Sequence, residues 1–485
     1  MNKTLFILIA LFFPLADSPI HSQSLPDSPT RQGTFILPPN PDAGQIPAPR
    51  VALARDHEYE LAELIDVAER ENPQTRVAWE RARNVAIAEG MVASTYLPVI
   101  TANVLGGYQG VTGQNSSFGA TVQNSGNVFG SVVAVSLQWL LFDFGGRKNI
   151  VGAAGKLSSA SNVAFTGAHQ QVIYAVSIAY YAYVAAVERH QTALEALTNS
   201  REIETAAQAR YSHGEGTVIE TSQARNLTAQ AQFSAVNAQG SKEQAYANLL
   251  AAMGVSPLQT IRIAPLIHRS LSRDDLAPID QIVHDALTRR PDVLAAYNTL
   301  QASEASIRVA EAQNRPKIFL SGTGAYVSGQ LGLTAVPPIG EQLPTLNITG
   351  NQWNGTVLLG MSVPIFDAHR RADAIRQAKN EEEKSSATLD AVRLNAMREI
   401  VSAQIALRTS LAANDAAAAL KAAAQTSYDA ALDAYKQGAG TVTAAADAET
   451  HLFQAELAQD DAYTSALSAA ATIAFATGAL GSPPR

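Results

Sequence analysis

The sequence predicts a mainly α-helical chain that also carries transmembrane β strands, built as a duplicated helix-strand-strand-helix unit whose long helices pair as antiparallel coiled coils. Three observations predict it. Residue types recur at a fixed separation of about 220 positions. Within each copy the hydrophobic period changes from helical to two-residue and back, and each copy then runs for some 66 residues without proline. The composition agrees: of 485 residues 47% are hydrophobic but only 6% aromatic, which suits long helices better than the bulky core of a compact enzyme. Cysteine is absent, which excludes disulfides, thiolate metal sites, cysteine nucleophiles and a lipidated cysteine. The net charge of −8, with no strongly basic block, argues against nucleic acid as a partner.

Residues 1–22 read as a signal peptide, with Lys3 in the basic region, Leu5 to Leu15 as the apolar stretch, and small residues at Ala16, Ser18 and Ser22. Pro14 interrupts that stretch well short of the ~20 residues a bilayer span requires, and no comparably uniform apolar run is expected after it. Residues 23–57 form an extended arm, because Pro26, Pro29, Pro38, Pro39, Pro41, Pro47 and Pro49 deny regular hydrogen bonding. Helical patterning begins near Glu58, pauses at Asn72-Pro73, resumes from Gln74 to about Tyr96, and stops at Leu97-Pro98.

The repeat is verified by subtraction. Pro73 and Pro291, Pro98 and Pro316, and Tyr108 and Tyr326 each differ by 218; Phe142-Asp143 and Phe366-Asp367, Tyr211 and Tyr435, Gly214 and Gly438, and Gly254 and Gly478 each differ by 224. The boundaries follow: a first repeat at 58–253 (hairpin 98–142, long helices 146–253), a connector at 254–277, a second repeat at 278–478 (hairpin 316–367, long helices 368–477) and a tail at 479–485.

Four strands of ~10–15 residues are expected, pairing 98–111 with 128–142 and 316–331 with 351–367. Val133, Val135, Leu137 and Trp139 share one parity, and the copy at +224 places Val357, Leu359, Met361 and Val363 on the corresponding one, while Ser136, Gln138, Asn354 and Thr356 fall on the other. Apolar-out, polar-in alternation of this length is that of an outer-membrane barrel strand, with lipid on one side and water on the other. The segments 112–127 and 332–350, rich in Gly, Asn, Ser and Pro, are expected to be exposed loops. Four strands cannot close a barrel, so several chains must build one.

The tracts that follow, about 146–211 and 368–437, correspond to roughly 100 Å of helix each at about 1.5 Å per residue. Asp143 and Asp367 are placed to accept from their first free amides. Arg147, Lys148, Arg370 and Arg371 lie at the unfavourable end of the macrodipole, either facing a lipid phosphate or solvated. The turns at Gly214, Gly216 and Thr217, and at Gly438, Gly440 and Thr441, reverse the chain into return helices at 217–253 and 441–477. No metalloprotease, nucleophile-elbow or phosphate-loop motif occurs, and His213 with Glu215 is more readily a solvated tip than a metal site. No enzyme activity, cofactor or metal is expected.

The junctions Leu141-Phe142-Asp143-Phe144-Gly145-Gly146-Arg147 and Pro364-Ile365-Phe366-Asp367-Ala368-His369-Arg370, together with the paired repeat, resemble the TolC-type outer-membrane efflux proteins over about 58–480. The second junction lacks the usual glycine. The resemblance implies a homotrimer whose twelve strands form one barrel in outer-membrane lipid and whose helices form an α-barrel across the periplasm, a passive exit duct served by a periplasmic adaptor and an inner-membrane pump. It makes the two glycine turns the adaptor-contacting tips and Asp447, Glu220 and Tyr435 the periplasmic constriction. Two expected partners are replaced, by Ala444 and Gly440, so the usual latch on Tyr435 is missing. Its cargo is small toxic molecules or secreted proteins. A structural coiled-coil surface protein is the alternative of a different class; sustained heptads and one C-terminal anchor would mark it.

Overall fold

A computed structural model of the chain describes residues 53–117, 120–268, 271, 278–333 and 346–480. The expected signal peptide, most of the proline-rich arm, the end of the connector and the end of the tail lie outside the described residues.

The first copy opens with α1 (Leu61–Glu71) and α2 (Pro73–Ala93), which meet at Asn72. Pro73 occupies the first helical position, where its missing N–H costs nothing, and the Asn72 side chain caps α2 by accepting from the Gln74 amide at 2.9 Å. Glu58–Tyr59, expected in helix, instead forms a short strand β1 paired in parallel with Arg262–Ile263 (β4), a contact between distant segments that local periodicity does not report. After a 3-10 turn at Ser94–Tyr96 come β2 (Val99–Ser117) and β3 (Ala120–Phe142), then α3 (Gly146–Ser212) and α4 (Val218–Met253). The second copy repeats the order with α5 (Ile279–Leu287), α6 (Pro291–Ala312), β5 (Lys317–Leu333), β6 (Leu346–Thr349), β7 (Gln352–Ser362), α7 (Arg370–Lys436) and α8 (Val442–Ala476).

Two strand expectations need correction. β2 and β3 stay in register from Val99↔Gln138 to Ser117↔Ala120, so most of 112–127 is ladder and not loop. Polar, glycine-rich residues carry little strand signal of their own, but a register already set by the apolar half propagates through them. At the other end β7 stops at Ser362 instead of 367, because Pro364 has no amide to give a ladder. Part of 332–350 is also strand, with β6 pairing Leu346–Thr349 against Gln330–Leu333.

All four long strands lie in one antiparallel sheet, ordered β2-β3-β5-β7, and the β3–β5 ladder joins the two copies. One face carries Ile100, Val104, Val133, Val135, Trp139, Trp353, Val357, Leu359 and Met361, all exposed, with Leu137 half-buried among them. Val363 lies just past the strand end. The opposite face buries Val132 against Val327. It is otherwise mixed: Leu105, Phe319 and Leu358 share it with Asn103, Gln138, Thr323 and Asn354, and Thr101 Oγ1 and Ser136 Oγ lie 2.6 Å apart.

The helices pair α3 with α4 and α7 with α8, and α3 also packs on α6 and α8. Ile203, Ala207, Ala224, Leu432, Ala445, Leu452 and Ala455 fill one core whose many alanines let the backbones approach closely. α3 includes an 18-residue window with mean hydropathy 1.2, apolar enough by length and composition to cross a membrane, although no such run was expected; 44% of it is buried against the protein itself. Val172, Val176, Tyr180 and Val184 lie in this part of α3 and pack on α1 and α4, which accounts for its apolar character.

Each copy is closed by the residue before its helix-opening proline. Asn72 Nδ2 donates to the Ala252 carbonyl at 2.9 Å, and at the equivalent place Arg290 Nη1 donates to the Ala476 carbonyl at 2.8 Å. Arg290 also binds Asp292 and Glu399, both at 2.7 Å, so that its buried charge is compensated. Gly254 and Gly478 end the return helices with φ of +77° and +69°. A Cβ on Gly254 would meet Asn72 Cα at 2.6 Å, whereas on Gly478 the nearest atom is Arg290 Cα at 3.4 Å. Gly478→Ala should therefore cost the left-handed penalty alone, about 1–2 kcal/mol. Gly254→Ala should cost more, about 3 kcal/mol or above, through added backbone overlap. Thermal denaturation of the two variants checks this, and equal losses would refute the close approach at Asn72.

Candidate gate and collar

Two sites stand at the ends of the long helices. Where strands pass into helices, both copies place two successive residues in the left-handed region: Phe144 and Gly145 at φ +51° and +97°, Ala368 and His369 at +56° and +69°. The missing second glycine therefore leaves the backbone path unchanged, at the cost of a left-handed His369. Asp143 Oδ2 accepts from the Arg147 amide at 2.7 Å, and Asp367 Oδ2 from the Arg371 amide at 3.1 Å, so both aspartates cap as expected. The arginines do not face solvent or lipid as expected. Arg147 is buried, donates to the carbonyls of Thr95 and Leu141, and lies over the Tyr96 ring. Arg371 Nε binds Asp367 Oδ2 at 2.6 Å and holds that carboxyl below its ordinary pKa. Each guanidinium is neutralised by the aspartate four residues earlier. Lys148 and Arg370 are the two that remain exposed.

At the opposite ends the two glycines of each tip divide the work. Gly214 and Gly438 take φ of +75° and +79°. Gly216 and Gly440 donate to the carbonyls of Arg210 and Ala434, and a Cβ on either would stand 3.0 Å from a backbone nitrogen. Thr217 and Thr441 then cap α4 and α8, accepting from the amides of Glu220 at 3.3 Å and Ala444 at 3.2 Å. His213 is engaged locally, its Nδ1 2.7 Å from the Ala209 carbonyl. Among the described residues no group of three or more His, Asp or Glu side chains is placed to hold a metal ion.

The three constriction candidates are not equivalent. Tyr435 is 1% exposed, and its hydroxyl has no hydrogen-bond partner. Burial and the nearby Glu220 carboxylate push its pKa up, against Arg210, which lowers it. Glu220 is half-buried, with Oε2 likewise unpartnered. Asp447 is exposed on α8. Tyr435 and Glu220 thus come together, while Asp447 stands exposed.

Arg210 is the tip residue that sequence reasoning missed. Its guanidinium lies 5.3 Å from the Tyr435 ring centroid and donates to the Tyr435 carbonyl at 3.0 Å, tying the first tip to the second. Lys436 reinforces the tie through Glu202 at 2.6 Å. A basic latch on Tyr435 is therefore present, supplied by the first copy in place of the second. The repeat gives the one signal that could have found it: the position 224 beyond Arg210 is Ala434, so the copies differ at the residue before the tip tyrosine.

A second omission lies on α8, whose inner stripe contains Glu449 at 3% exposure with Oε1 unpartnered. Burial, with Glu456 adding to it, pushes the Glu449 carboxyl up to about 7. Glu188 on α3 is pushed up to about 7 in the same way, with Asp460 beside it.

Comparison with known proteins bears on these arrangements as a set. The chain is 27% identical over 363 residues to Protein CyaE of Bordetella pertussis, covering 73% of this chain and 70% of that protein. It is 26% identical over 401 residues to outer membrane efflux protein BepC of Brucella suis, covering 81% and 79%. Its fold matches the open state of the MtrE outer membrane channel of Neisseria gonorrhoeae with a TM-score of 0.69 at 21% identity, over 91% of this chain and 98% of that one. The family model for outer membrane efflux proteins matches twice, at residues 64–255 and 282–479, once over each copy of the repeat. The chain belongs to the outer membrane efflux protein family.

Proposed function

We propose that this efflux duct is a homotrimer, with its twelve strands in the outer membrane and its helix tips docked on a periplasmic adaptor that connects to an inner-membrane pump. The observation that carries the proposal is the sheet. β2 and β7 each pair on one side only among the described residues, and four alternating strands leave those two edges antiparallel to each other. An edge in hydrocarbon leaves several kcal/mol per unpaired group, so β7 of one copy must pair with β2 of the next until the ring closes. Three copies give twelve strands, wider than the ~8 whose interior side chains fill.

The greasy face supports the membrane placement. Tyr108 pairs with Phe129 towards the loop end of the sheet, and Tyr326 pairs with Trp353 opposite Val133, four residues nearer the helices. Trp139 lies at the helix end of its strand, its Nε1 donating to the Tyr96 carbonyl at 2.9 Å. From Phe129 to Trp139 the strand advances ten residues. That is roughly 33 Å along the strand and, at a tilt of about 40°, roughly 25 Å along the membrane normal, the height of an apolar band between aromatic girdles. Val133, Val135 and Leu137 fall between Phe129 and Trp139 on the same strand, and Val357 lies level with Leu137 across Gly322. In this reading Leu359, Met361 and Val363 continue that surface to its periplasmic rim. The mixed face with Thr101, Ser136 and Thr356 is the lumen.

At the tips, Gly214, Gly216, Thr217, Gly438, Gly440 and Thr441 present six compact turns per trimer to the adaptor. Asp447 is the lumenal carboxylate of the constriction; Glu220 and Tyr435 serve the latch around Arg210. The cargo is a small toxic molecule or a secreted protein. It moves passively, driven by the pump.

Three outcomes are expected. Val135→Arg, midway between the girdles, should cost roughly 2–4 kcal/mol, while Ser136→Arg on the lumenal face should be far milder. The yield of heat-resistant trimer in outer-membrane fractions measures both, and equal losses would overturn the facing. In planar bilayers the channel should be cation-selective and blocked by divalent or trivalent cations from the periplasmic side, and Asp447→Ala should weaken the block more than Glu220→Ala. An unchanged blocking constant in Asp447→Ala would remove Asp447 from the constriction. Arg210→Met should raise conductance by releasing the second tip from the first; a conductance equal to that of the parent channel would make the clasp purely structural.

A further inference from the structure

α8 is packed between α3 and α7, and its inner stripe runs Val442, Ala445, Glu449, Leu452, Glu456, all buried. Two of these five are carboxylic acids, seven residues apart and hence on one line of the helix. The facing helices share the interval: Glu188, Glu195 and Glu202 on α3, and Lys421, Tyr428 and Tyr435 on α7. Asp460, one turn beyond Glu456, accepts from Thr192 Oγ1 at 2.8 Å.

The cations present do not balance this seam. Lys421 binds Glu456 at 3.4 Å, Lys436 binds Glu202 at 2.6 Å, Arg189 on α3 is taken up by Asp461 on α8 at 2.6 Å, and His268 from the connector stands 3.2 Å from Glu188. Glu195 and Glu202 lie at the exposed rim, where water can solvate them. Asp429 adds a further negative charge on α7 near Tyr428. On α4, Arg225 is turned to Glu204 at 3.7 Å, and Glu220 is directed at Tyr435. Glu449 is left with an unpartnered oxygen, opposite a Tyr428 that is 4% exposed and whose hydroxyl is unpartnered too. A carboxylate so enclosed is costly while ionised, and as an acid it gains an O–H to donate within the seam. Helix pairing itself does not demand this arrangement. The positions 224 earlier on α4 are Arg225 and Gln232, so the acid stripe belongs to the second copy alone.

We propose that the α3–α7–α8 seam is a proton-controlled lock, in which protonated Glu449 lets α8 seat fully between its neighbours and loss of the proton loosens α8 next to the tips. The lock lies within one chain and does not depend on the assembly proposed above. Its direction follows from linkage. Glu449 and Glu188 are both held up at about 7, against an ordinary value of 4.5. Between those values the packed helices retain protons that separated ones release. The lock is therefore fully closed below about 4.5 and is lost as the pH rises through about 7.

The natural absence of cysteine allows a clean test with the full chain purified in detergent. Spin labels at Thr450→Cys on α8 and Thr205→Cys on α3, both exposed, report the separation of the two helices by pulsed dipolar spectroscopy. The distance distribution should be narrow at pH 5.5 and broader and longer at pH 8.5. Glu449→Gln, uncharged and nearly isosteric, should stay narrow at both, whereas Gln232→Glu on α4 should leave the response of α8 unaltered. The unlabelled chain should also lose roughly 3–8 °C of thermal midpoint between pH 5.5 and 8.5, a loss reduced in Glu449→Gln. A parent distribution identical at the two pH values would overturn the lock, even if the variant failed to fold. A pH response undiminished in Glu449→Gln would overturn the assignment to Glu449.

Discussion

Backbone amides and carbonyls cannot be left unpaired in hydrocarbon, and a sheet of four strands has two edges on which they are. Within one chain the constraint is met only partway, since the β3–β5 ladder fuses the two hairpins but leaves β2 and β7 open. The aromatic residues on the greasy face, the mixed opposite face and the even number of strands suit a closed ring shared between copies. The helices inherit the geometry of the sheet, because each 67-residue helix starts within eight residues of a strand end.

Duplication supplies the economy of the design, and departures from it supply the function. Asn72 and Arg290 close their copies on equivalent carbonyls with different side chains. The capping aspartates, left-handed pairs and glycine tips recur almost unchanged. Arg210 and Glu449 do not recur, and both sit where the two copies meet. A contact that crosses between copies has no symmetric counterpart to preserve, which leaves it free to specialise.

The repeat, the strand facing and the helix reversals were legible in the sequence because each rests on local chemistry: alternation, proline stops, glycine turns. Asp143 and Asp367 could be read as caps for the same reason. The burial of Arg147 could not, since it depends on carbonyls of Thr95 and Leu141 that only the folded collar brings together. The clasp of Arg210 on Tyr435 spans 225 positions, and no period reports what stands across a helix face. The ladder through 112–117 was hidden by its own polarity. Glu449 is not legible in the sequence, because a carboxylate on an alanine-rich helix reads as solvated until the fold covers it.

At each collar the chain enters its long helix through two left-handed residues, and each of those helices runs 67 residues, roughly 100 Å at about 1.5 Å per residue. Such a rod acts as a lever. One degree of tilt at its root displaces its far end by roughly 1.7 Å, so a few degrees at the membrane span the width of a hydrated ion. The aspartate–arginine pairs at the root therefore set the mechanical tolerance of the glycine tips roughly a hundred ångströms away.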